Sequence, residues 1–68
     1  MTIWVNGEAR ELTVGATVVD AIEASGASAD GRGIAAAVDG EVVPQDQWGD
    51  TTLGDGQRVE VVQAVQGG

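Results

Sequence analysis

Three turn dipeptides, Asn6-Gly7, Asp39-Gly40 and Asp55-Gly56, punctuate this chain of 68 residues, and each is preceded or followed by a short run patterned as a strand. Asn-Gly is a strong hairpin signal, because a type I′ turn needs positive φ at both central residues. Thr2 to Asn6 alternates, with Ile3 and Val5 on one face and Trp4 on the other, and reads as a strand. The return strand is expected at about Ala9 to Thr13, burying Leu12. Ile34-Ala35-Ala36-Ala37-Val38 favours helix by alanine propensity, yet the space between Gly33 and Asp39-Gly40 is too short for a stable one, so it reads as a buried strand. Glu41-Val42-Val43 is a short edge strand closed by Pro44, where a missing N–H does least harm. Arg58 to Val65 is the longest strand.

One helix fits. Thr17 is a good N-cap with Asp20 three residues on, Val18, Val19, Ala21 and Ile22 share a face, and Gly26 is the C′ stop. Gln45 to Leu53 is a polar connection with room for one helical turn, in which Trp48 covers the core. A helix that follows a hairpin lies across one sheet face to hide its apolar stripe. The last strand is placed beside the first, in the sheet centre, because both are rich in Val, Ile and Trp. The expectation is an α+β protein of the β-grasp type: a mixed sheet of four to five strands with one helix packed across one face. Residues 1–64 form the domain and 65–68 a tail.

Composition narrows the chemistry. Ten Ala and eleven Val give a core of small side chains. The chain has no Cys, His or Lys, so it offers no thiol nucleophile, no imidazole base or ligand, and no side-chain amine for an isopeptide bond. Glu8, Glu11, Asp20 and Glu23 read as a solvated face, and Gly31-Arg32-Gly33 as a loop, so no independent enzyme and no metal site is expected. Eleven carboxylates against Arg10, Arg32 and Arg58 give a net charge of −8. Such a surface disfavours nucleic acid and anionic membranes and favours a partner with a basic docking face. No apolar run approaches the roughly 18 residues of a membrane span, and a soluble, cytoplasmic protein is expected.

The function-bearing feature is Val65-Gln66-Gly67-Gly68. Glycines at a terminus contribute nothing to folding, but they let a backbone enter a narrow active site. Extended, these residues reach roughly 13 Å beyond the sheet. If Val59 and Val61 face the helix, alternation turns Glu60, Val62 and Ala64 outward, with Trp4 pointing the same way from the neighbouring strand. Such a face, exposed near the tail, is where a partner is expected to grip.

Three segments carry a resemblance: Val5-Asn6-Gly7-Glu8; Ala37-Val38-Asp39-Gly40-Glu41-Val42-Val43-Pro44 with Gln47-Trp48; and the run from Asp55 to Gly68. Together they resemble the thiamine-biosynthesis sulfur carrier (ThiS) family, a ubiquitin-like β-grasp group, over essentially the whole chain. The family often has Asn where Asp39 stands and Gly where Gln66 stands; neither departure touches the carboxylate. The resemblance implies that a partner enzyme adenylates the Gly68 carboxylate with ATP, the chain binding no cofactor itself. A persulfide from a cysteine desulfurase, or another sulfur donor, then makes a thiocarboxylate, which thiazole synthase uses. The small subunit of molybdopterin synthase, carriers of cysteine or natural-product pathways, and a ubiquitin-like modifier share parts of this pattern and remain alternatives. So does a binding domain whose Gly-Gly is incidental.

Overall fold

Two hairpins with the same turn frame the sheet. The computed structural model describes residues 1–29 and 33–64. In it β1 (Thr2–Val5) returns as β2 (Glu8–Glu11) through Asn6 and Gly7, at φ 51° and 82°. Likewise β3 (Ile34–Val38) returns as β4 (Glu41–Val43) through Asp39 and Gly40, at φ 50° and 86°. Both are type I′ geometry, whose twist matches that of the flanking strands. Asn and Asp tolerate the left-handed region better than other side chains, so each dipeptide fixes its register. Val5 stands opposite Glu8, and Val38 opposite Glu41.

That register corrects the expected bounds of the second strand. A two-residue turn brings Glu8 straight into pairing, so β2 covers Glu8–Glu11 rather than Ala9 to Thr13 and is exposed throughout. Leu12 lies just past it, half-buried against the core, its N–H donating to the Met1 carbonyl at 2.9 Å.

The helix, α1 (Val18–Ala24), begins at the expected cap: the Thr17 N–H donates to Asp20 Oδ2 at 2.8 Å. It ends with the Gly26 N–H on the Glu23 carbonyl at 3.0 Å. Seven residues are too few for a helix to persist alone, so packing must hold it. Val18, Ala21 and Ile22 are buried, with Val19 at the margin. The entry to α1 is also tied down by main-chain bonds, Val18 N–H to the Thr51 carbonyl at 3.1 Å and Leu53 N–H to the Ala16 carbonyl at 2.8 Å. The connection that supplies Thr51 is more helical than expected, a 3₁₀ segment over Gln45–Asp50 that follows Pro44. Its Trp48 is buried, and the indole N–H donates to the Val43 carbonyl at 2.8 Å.

The last strand, β5 (Arg58–Gln63), occupies the centre of a mixed five-stranded sheet ordered β2-β1-β5-β3-β4. It runs parallel to β1 and antiparallel to β3. Ile3, Val5, Ala36 and Val59 meet α1 across one face, and Trp48 and Leu53 complete the core. No helix among the described residues covers the other face, which is why Ala35 of β3 is exposed while Ala36 beside it is buried. This is the β-grasp fold.

Candidate functional site

β5 carries the chain toward its carboxyl end. Val59 and Val61 point to the core; Arg58, Glu60 and Val62 point to the open face, and Ala64 beyond the strand is exposed. The Ala64 N–H donates to the Gly33 carbonyl at 2.7 Å, continuing the pairing with β3 as far as the described residues go. Val65, Gln66, Gly67 and Gly68, the tail assigned to active-site entry and modification, lie outside them.

Register settles which side chains share the open face. Trp4 pairs with Ala9 on one side and Arg58 on the other; Glu60 pairs with Ala37, which pairs with Val42; Val62 pairs with Ala35. Trp4, Val62 and Val42, at 42%, 62% and 76% exposure, all lie on this one surface. The expected residues Trp4, Glu60, Val62 and Ala64 thus face one way, but they are not one patch. Trp4 sits at the Arg58 end of β5, in a shallow groove with Gly7, Arg58 and Glu60. From there to Ala64 is about 20 Å along the strand. Trp4 is therefore far from Ala64, where the described residues end, rather than close to the point from which the tail departs, because the parallel pairing places the end of β1 against the start of β5. Only Val62 and Ala64 lie beside the exit.

Sequence reasoning missed four contributors. Val42 and Ala35 enlarge the apolar end around Val62, and the alternation of β3 and β4 would have placed them once the pairing was known. Two turn residues fasten β5 from either side. Asp39 accepts the Arg58 N–H on Oδ1 at 3.0 Å and the Gln57 side-chain N–H on Oδ2 at 3.1 Å. Asn6 holds Val61, its Oδ1 accepting the Val61 N–H at 2.8 Å and its Nδ2 donating to the Val61 carbonyl at 3.2 Å.

Among the described residues no group of three or more His, Cys, Asp or Glu side chains is placed to hold a metal ion, and no helix is long and apolar enough to cross a membrane. What the arrangement offers is a rigid central strand that leads into Gly67-Gly68, flanked by an exposed apolar surface.

The fold is shared with a known protein. The crystal structure of the thiamine biosynthesis protein ThiS from Geobacter metallireducens superimposes with a TM-score of 0.76 at 26% identity, covering 100% of both chains. No curated protein sequence matches significantly. The model of the ThiS family matches residues 3–68, from the first strand through both terminal glycines, and by that match the chain belongs to the ThiS family of sulfur carriers.

Proposed function

We propose that the chain carries sulfur for thiazole formation in thiamine biosynthesis, on the carboxyl group of Gly68. The observation that carries this reading is the family match, which runs through Gly67 and Gly68. A carboxylate is a poor electrophile until one oxygen becomes a leaving group. An adenylating enzyme supplies it: the Gly68 carboxylate attacks the α-phosphate of ATP, pyrophosphate departs, and an acyl-adenylate results. The terminal sulfur of a persulfide, formed by a cysteine desulfurase or another donor, attacks the acyl carbon and AMP leaves. A thiol then reduces the acyl disulfide and frees the thiocarboxylate, which thiazole synthase consumes in the cytoplasm. The chain is a co-substrate in this cycle. It has no Cys, His or Lys to share in the chemistry, and glycine leaves room for successive enzymes to enclose the same carboxyl group.

Incubation with ATP, the cognate adenylating enzyme and a sulfur donor is expected to add the mass of sulfur less that of oxygen, at Gly68. Sulfur found on any other residue would sink the reading, and an isopeptide ladder would identify a protein modifier instead.

The open face is the docking surface in this reading. Its exposed Trp4, Val42 and Val62 offer apolar contact, while the net charge of −8 steers a basic partner. Trp4→Ala and Val62→Asp are each expected to lower kcat/KM for adenylation about tenfold with circular dichroism unchanged. The two residues lie beyond coupling distance along β5, so their losses should multiply in the double variant. Raised salt should slow association of the wild type, through screening. A folded Val62→Asp protein activated at the wild-type rate at sub-saturating concentration would remove this face from the model.

A further inference from the structure

β1 and β5 run parallel but pair at only two positions, Trp4 with Arg58 and Val5 with Val59. Trp4 N–H donates to the Gln57 carbonyl at 3.0 Å and Asn6 N–H to the Val59 carbonyl at 2.9 Å. The next rung of a parallel ladder would take the Val61 N–H to the carbonyl of residue 6, and the Val61 carbonyl to the N–H of residue 8. The main chain cannot provide it, since at Asn6 it turns away into the hairpin with φ 51°. The Asn6 side chain provides it instead, accepting the Val61 N–H at 2.8 Å and donating to the Val61 carbonyl at 3.2 Å. A planar carboxamide, one acceptor beside one donor, stands in for the missing peptide group. Few residue types fit both demands. Asp would keep the turn and the acceptor but lose the donor, Gly would keep only the turn, and Gln reaches a methylene too far.

We propose that Asn6 is a positioning residue that sets the direction in which β5 delivers Gly68 to the activating enzyme. The proposal rests on the sulfur-carrier reading. Among the described residues Val61 is the last on β5 held from the β1 side; on the other side β3 continues, through the Gly33 carbonyl, to Ala64. With the carboxamide in place the end of β5 is held from both sides. Without it the strand is held from β3 alone and can pivot, which loosens the direction in which β5 points. Acyl activation needs reacting atoms within roughly 3–3.5 Å, so a pivot in β5 lowers the fraction of productive complexes. Docking through the open face is untouched, so the loss belongs in turnover rather than affinity.

Asn6→Gly and Asn6→Asp test this through Val61 amide exchange, followed by NMR, and adenylation kinetics with the cognate enzyme. In Asn6→Gly the Val61 amide is expected to exchange about tenfold faster with circular dichroism unchanged. Its kcat is expected to fall about tenfold while KM stays within about twofold. Asn6→Asp keeps the acceptor for the Val61 N–H and should lie between. Unchanged Val61 exchange in Asn6→Gly would show that the carboxamide does not hold β5. Faster exchange with wild-type kcat would show that the hold does not serve delivery. Either result overturns the proposal. A wild-type protein that the enzyme never adenylates overturns the sulfur-carrier reading instead, and the exchange measurement still decides the clamp.

Discussion

Deleting Gly68 is expected to reduce activation to background while the domain melts where the wild type does. In the proposed cycle the reacting carbon belongs to that residue, and a chain one residue shorter presents the Gly67 carboxylate a full residue away from the nucleotide. A displacement of about 3.3–3.6 Å exceeds what near-attack geometry tolerates. Stability should change by no more than about 0.5 kcal/mol, since among the described residues none of the core lies beyond Val61. Thermal melting and ATP–pyrophosphate exchange measured on one preparation separate the two effects. A strong drop in melting temperature would make the terminal residues part of the folded body and move the domain boundary past residue 64. Activation that survived the deletion would exclude Gly68 as the acceptor.

Trp48→Ala should have the largest effect on folding. Trp48 is 3% exposed and joins the 3₁₀ segment to the core, and its indole N–H satisfies the Val43 carbonyl. Truncating a buried Trp costs about 3–5 kcal/mol. A domain of 68 residues has only about 3–10 kcal/mol in total, at roughly 0.05–0.15 per residue. The variant should therefore lose most of its urea midpoint or fail to fold. Trp48→Phe keeps much of the ring volume but loses the donor, and should cost less, about 1–3 kcal/mol. Trp4→Ala, on the open face, serves as the control, and it leaves Trp48 as the sole fluorescent reporter of the core. A Trp48→Ala protein with a midpoint near that of wild type would show that the 3₁₀ segment is not needed to close the core.

These outcomes depend on features that the sequence displayed unequally. Asn6-Gly7 and Asp39-Gly40 announced both hairpins, because turn conformation is decided by the residues that adopt it. Thr17 with Asp20, and Gly26, marked the ends of α1 for the same reason. The strand over Ile34–Val38 was legible against alanine propensity only because the neighbouring glycines left no room for a helix. What could not be read was relational. The end of β2 and the extent of the 3₁₀ segment depend on register and packing. The separation of Trp4 from Ala64 depends on the parallel pairing of β1 with β5, which no local pattern encodes. Asn6 shows the limit most clearly: its turn is written in its own neighbourhood, whereas its bonds to Val61 span 55 positions. Gly67 and Gly68 were legible as a motif, and the family match includes them.

The two outer strands have a consequence for how such a molecule travels. An unpaired strand edge is a template for another chain, and a small sheet with two of them risks stacking into aggregates. Here one edge reads Glu-Ala-Arg-Glu, exposed along its length, and the other is three residues long and stops at Pro44. Charge discourages growth on the first edge, and brevity with a missing N–H discourages it on the second. For a sulfur carrier, borders on which its own copies add poorly keep the molecule open to its partner enzymes.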